Sequence, residues 1–327
     1  MFIIRNDHND PQYNLALEEY VFRNIDLPGG CLILWRNKPS VIIGRYQNTH
    51  EEVNHDFIKA AGVQVVRRIT GGGAVYHDLG NINFSFIDKA ASMTIDFELY
   101  NQKVVDALAQ IGVRAELNSR NDIVIDGRKF SGNAQVIDKG KRLHHGTFLY
   151  ATNLEDVGKA LNPDMKKYES RSVKSVRSRV TNVAEYLTDK VSTEEFMEIL
   201  RHNLTSSGYV EEYELTQEDK DSIAKLRAEK YDTWEWNYGA TPKFNYQKST
   251  YTLWGTVKAN MTITRGIIEN VKLYGDFFGI ADIAEFEQIL TGVKYDRDCI
   301  RAKLKKVDLN AFFATNDIDE VVNCLFE

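Results

Sequence analysis

Cysteine is scarce in this chain of 327 residues: three occur, Cys31, Cys299 and Cys324, odd in number and far apart. That spacing gives no C-x-x-C or Cys/His zinc site, and the usage fits a reducing cytoplasm. Proline is scarce too, five in all, so no proline-rich linker divides the chain. No apolar run approaches a membrane span, and Met1-Phe2-Ile3-Ile4-Arg5 is too short for a signal-peptide core. A basic excess is also missing. Lys and Arg total 41 against 47 Asp and Glu, a net charge of −6, which argues against bulk binding to nucleic acid or a membrane surface but leaves room for a local basic patch. Repeats and low-complexity segments are absent, and no G-x-x-x-x-G-K-[ST] occurs, which excludes a P-loop nucleotide switch. What remains is an ordinary globular composition, 43% hydrophobic and 27% charged, sized for one large domain or two.

Three consecutive glycines stand out, in Arg67-Arg68-Ile69-Thr70-Gly71-Gly72-Gly73-Ala74-Val75-Tyr76-His77-Asp78. Glycine admits φ > 0 and lets another group approach the main chain. A glycine run between two strands can turn its N–H groups toward one point, a concavity suited to an anion. Arg68 adds a permanently charged planar fork suited to phosphate or carboxylate. Read alone, the stretch is a flexible turn beside a solvated Arg pair.

Around it the chain alternates helical and strand patterns. Asn14 to Ile25 has helical periodicity, with Glu18 and Glu19 near its start. Cys31 to Trp35 and Val41 to Gly44, joined through Asn37-Lys38-Pro39-Ser40, read as the two strands of a hairpin. Trp35 closes the first, a position typical of core packing. A short helix is expected over Glu51 to Ala61, then strands over Val63 to Arg68 and Ile82 to Ile87. Phe97 to Ile111 is an amphipathic helix with Leu99, Val104, Leu108 and Ile111 on one face and Gly112 as its stop.

Asp126-Gly127, between Ile123-Val124-Ile125 and Lys129-Phe130, signals a two-residue hairpin turn. That register sets Ile125 opposite Arg128, Val124 opposite Lys129 and Asp122 opposite Ser131. Alternation then puts Ile123, Ile125 and Phe130 on the core side and projects Asp122, Lys129 and Ser131 together from the other. Diagonal neighbours lie about 7–8 Å apart, so a metal ion or a phosphate could bridge Asp122 and Lys129; the bland alternative is an exposed polar face with a weak ion pair. The small residues Gly132 and Ala134 leave room for a ligand against the strand.

Arg142 to Thr152 reads as a strand whose neighbouring histidines, His144 and His145, point to opposite faces and cannot chelate one ion together; each reads as a structural histidine. Leu161 to Val180, with Lys166, Lys167, Arg171, Lys174, Arg177 and Arg179, has no steady period and reads as a long basic loop, a length more typical of lids than of idle surface. Ser192 and Glu195 form a capping box for a helix to about Asn203, and Glu218 to Tyr231 is another helix. Trp234 to Gly239 is an aromatic knot packed back on the body. After Tyr246 a small meander (Tyr251–Val257, Met261–Thr264, Ile267–Tyr274) and three helical patterns (Ala281–Leu290, Asp298–Lys305, Asp317–Leu325) form an α+β unit. The expected division is 1–246 and 247–327.

The whole set resembles lipoate–protein ligase A. The similarity rests on Arg67 to Asp78, Lys129-Phe130-Ser131-Gly132-Asn133-Ala134, His145-Gly146-Thr147, Leu161-Asn162-Pro163 and Ser175 to Asn182. Trp35-Arg36-Asn37, Ile43 to Asn48 and Trp234-Glu235-Trp236-Asn237 agree, in order, over nearly the whole chain. The resemblance implies an α/β fold of the α+β type: mixed and antiparallel sheets flanked by helices, class II synthetase and biotin ligase-like, with a small α+β C-terminal domain. It implies a cytoplasmic enzyme that joins lipoate to ATP as lipoyl-AMP and passes the acyl group to a lysine of a carrier. The carriers implied are lipoyl domains of 2-oxoacid dehydrogenase E2 subunits or glycine-cleavage H protein, with no nucleic acid or membrane partner; octanoate is a second possible acid.

By the same resemblance Lys129 is catalytic, contacting the acyl carbonyl and the α-phosphate. Arg68, Gly73, Ala74, Val75 and Tyr76 hold ATP with it. Trp35, Arg68, Gly71, Gly72, His77, Lys129, Gly132 and Ala134 border lipoate or the adenylate, Asp122 is the candidate ligand for Mg²⁺, and the 163–180 loop closes over the adenylate.

Two departures from the family are visible: Phe148 replaces a smaller aliphatic residue, and Asn83 stands where some members carry cysteine. The nearest rival is an octanoyl or lipoyl amidotransferase, which needs a nucleophilic cysteine instead of ATP; none of the three cysteines falls near Lys129 in sequence. Biotin ligase shares the chemistry but not the wording of these motifs. A non-catalytic carrier-binding module would have lost Lys129 or the glycines, and both are present.

Overall fold

The computed structural model describes residues 1–118, 121–161, 179–206, 208–238 and 245–326, with the side chains of His50 and Glu51 left aside. Two compact units emerge. One takes Met1–Ile43, Thr49–Arg68 and the described part of Ala74–Tyr238; the other takes Gly44–Asn48, Ile69–Gly73 and the described residues from 245 on.

The first unit is built on an eight-stranded mixed sheet. In chain order its elements are β1 (Phe2–Ile4), α1 (Pro11–Asn24), β2 (Cys31–Trp35), β3 (Ser40–Ile43), α2 (Thr49–Glu52), α3 (His55–Ala61), β4 (Gln64–Arg67), β5 (Val75–His77), β6 (Asn81–Lys89) and α4 (Glu98–Ala109). There follow β7 (Glu116–Asn118), β8 (Asp122–Ile125), β9 (Arg128–Asp138), β10 (Lys141–Leu149), α5 (Leu154–Ala160), α6 (Thr193–Thr205), β11 (Glu211–Glu212), α7 (Gln217–Leu226) and α8 (Trp234–Asn237). The large sheet runs β11-β1-β2-β6-β10-β9-β8-β7, and a small sheet runs β4-β3-β5.

The expected hairpin of Cys31–Trp35 with Val41–Gly44 does not form. β2 pairs with β1 and β6 in the large sheet, while β3 pairs with β4 and β5 in the small one. The reason is visible in composition. Every residue of both strands is buried, and runs without polar alternation suit strands flanked on both edges and covered on both faces. The supposed turn carries a buried Asn37 tied into the interior.

α1 starts at Asp10, whose carboxylate accepts from the N–H groups of Gln12 and Tyr13, with Pro11 at the first helical position. α4 begins one residue later than its pattern suggested, and its buried stripe is Tyr100, Val104, Ala107 and Leu108, spaced three and four residues apart; Leu99, five residues before Val104, falls off that face and is exposed. These residues, with Phe196 and Leu200 of α6, cover one face of the large sheet over Phe84, Phe86, Phe130 and Phe148. Phe148, the departure at position 148, is fully buried edge-on to Phe130. α6 opens on the expected capping box of Ser192 and Glu195. The Trp234–Asn237 knot is one helical turn bound to β4 by Trp236 Nε1 on the Arg67 carbonyl (2.8 Å).

The second unit is an antiparallel meander of β12 (Tyr246–Thr252), β13 (Gly255–Thr264) and β14 (Ile267–Gly275), followed by α9 (Ile283–Leu290), α10 (Arg297–Leu304), α11 (Asn310–Phe313) and α12 (Ile318–Asn323). The expected first strand, Tyr251–Val257, straddles the β12–β13 turn. Met261, Phe277, Phe286, Leu290, Ile300 and Phe313 form its core. Tyr46 stacks on Phe277 with ring centroids 4.9 Å apart, and Arg45 N–H binds the Thr70 carbonyl (2.8 Å). The glycines here have identifiable causes. Gly72 has φ +88, a Cβ on Gly44 would strike the Gly72 carbonyl, and one on Gly71 would strike the Phe277 carbonyl. A Cβ on Gly73 meets nothing within 4 Å.

Candidate active site

Register alone assembles the site on the sheet face opposite the phenylalanine core. Trp35 pairs with Asn83, and Asn83 pairs with Thr147. Next in line is Gly132, whose N–H binds Thr147 Oγ1 (3.2 Å) and which pairs with Asp122. One row thus crosses β2, β6, β10, β9 and β8, with strands about 4.8 Å apart. A second row, two residues along, reads Ile33, Ser85, His145 and Ala134.

Lys129, three residues before Gly132 on β9, reaches the far end of the first row. Its ammonium folds back over Gly132 and lies 2.7 Å from Asp122 Oδ1, with both side chains part-exposed. The two therefore pair directly. Its backbone is held from both sides: Val124 of β8 pairs with it, Lys129 N–H binds the Arg179 carbonyl (2.7 Å), and Thr181 N–H binds the Lys129 carbonyl (2.9 Å). One expectation needs correction. A β-bulge between Ile123 and Val124 shifts the register, so Asp122 faces Gly132 and Ser131 faces Ile123. Ser131 is fully buried and accepts from Asn133, so it does not join Asp122 and Lys129.

Behind the rows lies a buried polar network. Trp35 Nε1 donates to Ser85 Oγ (2.9 Å), Ser85 donates to Glu18 Oε1 (2.5 Å), and His145 Nδ1 meets the same carboxylate (2.8 Å). His77 stands edge-on to Trp35, centroids 6.2 Å apart. Asn14 Nδ2 donates to Asn37 Oδ1 (2.9 Å), which leaves Asn37 Nδ2 to donate to His77 Nδ1 (3.0 Å) and puts the His77 proton on Nε2. Burial, then the neighbouring Arg68 and His145, pull the His77 pKa down to about 3, so its ring is neutral near pH 7. Arg68 is buried, donates to the Ile42 carbonyl (3.2 Å), and has its pKa lowered to about 10 by burial, opposed by Glu18.

Such a surface, a cation at one end of an aromatic-walled row with buried charge above it, suits an acid whose tail is apolar. The comparisons with known proteins agree. Residues 10–205 match the model of the lipoyl protein ligase A/B catalytic domain, and residues 241–325 that of the bacterial lipoate protein ligase C-terminus. The chain belongs to the lipoate–protein ligase family.

Among relatives of this family, the lipoate-protein ligase LplJ of Bacillus subtilis is 43% identical over 100% of both chains. Lipoate–protein ligase 1 of Staphylococcus aureus is 42% identical over 99% of both. Among solved structures, P. falciparum LipL1 in complex with lipoate matches with a TM-score of 0.81 and 27% identity over 98% of each chain. A lipoate-protein ligase A bound with ATP matches with a TM-score of 0.64 and 31% identity, over 73% of this chain and 98% of that one.

Within this ligase-family chain, Trp35, Lys129, Gly132, Ala134 and Asp122 share one sheet face, with Arg68 and His77 in the polar network of the same unit. Ala74, Val75 and Tyr76 belong to the small sheet, and the Tyr76 ring is packed in its apolar core, which leaves the main chain of that run to address a ligand. Gly71, Gly72 and Gly73 belong to the second unit. Most of the basic 163–180 loop falls outside the described residues; of it, Arg179 and Val180 lie beside Lys129. Arg67 is a scaffold residue: its guanidinium donates to the Trp236 carbonyl (2.9 Å) and Thr49 Oγ1 (2.6 Å).

Sequence reasoning missed Glu18 and Ser85. Glu18 could have been found as an acid inside the apolar stripe of Leu15 and Phe22, since residues three and four apart share a helix face. Among the described residues no group of three His, Cys, Asp or Glu could hold a metal ion. Asp122, with one oxygen on Lys129, fits Mg²⁺ only as a single carboxylate ligand whose other contacts come from phosphate and water, a common arrangement for that ion.

Proposed function

We propose that this chain activates lipoate with ATP as lipoyl-AMP, releasing pyrophosphate, and then transfers the lipoyl group to a lysine of a carrier lipoyl domain, releasing AMP. The observation that carries the reading is the Lys129 ammonium, held over Gly132 beside Asp122 at one end of the row that begins at Trp35. A carboxylate attacking a phosphate brings two anions together, and a fixed cation lowers that barrier more than the ground state. Lys129 accordingly meets the acyl carboxylate and the α-phosphate, with the acyl chain lying along the row toward Trp35.

Arg68 and the main chain of Gly73, Ala74, Val75 and Tyr76 address the nucleotide phosphates, and Gly71, Gly72, His77, Gly132 and Ala134 border the adenylate. Asp122 would hold Mg²⁺, which supplies charge neutralisation at the phosphates. In domain terms, 1–246 is catalytic and 247–327 accessory. The carriers are E2 lipoyl domains or H protein, as for a ligase working in the cytoplasm. The rival amidotransferase reading lacks an activated nucleophile: burial pushes the Cys31 and Cys324 thiols up to about 12, and the hydrogen bond to Asp296 raises that of Cys299.

The test is an omission series. Pyrophosphate release should require lipoate and ATP but no carrier, and AMP release should require the carrier as well. Acyl transfer between carriers without ATP would replace this reading with the amidotransferase.

A further inference from the structure

We propose that Asn83 reads the far end of the acid, its side-chain amide donating to the ring sulfurs of lipoate and so favouring lipoate over a saturated acid of similar length. The proposal rests on the lipoate reading above and deepens it.

Asn83 is 2% exposed and sits in the first row between Trp35 and Thr147. Its Oδ1 accepts from Asn81 Nδ2 (2.9 Å), and Nδ2 is the end left over. Among the described residues that Nδ2 has no acceptor. The neighbouring hydroxyl on the same face is committed: Ser85 Oγ accepts from Trp35 and donates to Glu18. A buried donor without an acceptor is destabilising and calls for a partner.

Position says which part of the acid supplies it. Asn83 is two strands from Gly132, about 10 Å from the place where Lys129 holds the carboxylate. An acyl chain laid along the row therefore brings its distal end to Asn83 and the Trp35 ring. The ring disulfide of lipoate offers weak sulfur acceptors there, as thioether and thiol sulfurs do in proteins. A saturated acid such as octanoate offers a methyl group and leaves the amide unpaired. A site with a buried polar group discriminates against the analogue that cannot pair with it.

The experiment compares kcat/KM for lipoate and octanoate, read as acid-dependent pyrophosphate release, in wild type, Asn83→Leu and Asn83→Cys. The wild type should prefer lipoate. In both variants that preference should shrink about three- to tenfold, through weaker use of lipoate while octanoate holds or gains. An unchanged ratio, with both acids falling together, overturns the role of Asn83 and leaves the ligase reading standing. No acid-dependent release from the wild type overturns both. Should the variants fail to fold, the wild type alone decides: lipoate should raise its Tm more than octanoate at equal concentration, and equal shifts overturn the proposal.

Discussion

The Lys129 ammonium occupies the space that a side chain at Gly132 would fill: a Cβ there would lie 2.8 Å from Nζ and 2.9 Å from Cε. Gly132 is thus required by a side chain three residues away. Gly132→Ala should displace the ammonium and lower kcat for pyrophosphate release about tenfold or more, since a misplacement of about 1 Å is costly in a positioned site. Stability should change by less than about 1 kcal/mol, because the displaced group is the end of a flexible, part-exposed chain. Full activity in Gly132→Ala would contradict this placement.

The adjacent arginines should separate by assay. Arg67 ties β4 to Trp236 and Thr49, and Arg67→Ala strands those buried acceptors. The denaturant midpoint should fall by the equivalent of about 1–3 kcal/mol. Arg68→Ala should instead raise the KM for ATP and lower kcat. Equal effects of both variants on both assays would remove the distinction.

Acid should destabilise the fold through its buried histidines. The His77 pKa falls from 6.5 to about 3 on folding, and that of His144 is also driven well down, in each case by burial first. Between those values the unfolded chain binds more protons, so stability rises with pH and is lost as pH falls below about 6.5. Each histidine contributes a slope of at most about 1.4 kcal/mol per pH unit in that window. Melting temperatures from pH 7 to pH 4.5 should drop, and less steeply in a folded His77→Gln variant. An unchanged slope would show that His77 is not buried neutral.

Thiol chemistry should be dispensable. Cys299 is exposed and should be alkylated by iodoacetamide, whereas the buried Cys31 and Cys324 should resist. Activity should survive both alkylation and Cys31→Ser. Inactivation by either would revive the amidotransferase.

The local structure around the candidate site was legible where chemistry is local. The Asp126-Gly127 turn placed Lys129 opposite Val124, and the Ser192–Glu195 capping box gave the start of α6. The bulge that moves Ser131 away from Asp122 has no local signature, because an extra residue in one strand is fixed by what packs on each face. The false hairpin of Cys31–Trp35 with Val41–Gly44 failed for a related reason. Short apolar runs fit any central strand, and only tertiary pairing decides which. Glu18 was hidden because its partners, Ser85 and His145, lie on distant strands. The row from Trp35 to Asp122 is a property of register across five strands, which no single segment encodes.

The central claim is that one ammonium lowers the barrier to joining two anions. Single-turnover pyrophosphate release with lipoate and ATP, without carrier, in wild type and Lys129→Ala measures it most directly. The exposed pair with Asp122 contributes at most about 1 kcal/mol to stability, so the variant should remain folded. The account predicts a loss of about a hundredfold or more in the variant, as for removal of a transition-state charge contact. A Lys129→Ala enzyme releasing pyrophosphate at the wild-type rate would contradict it.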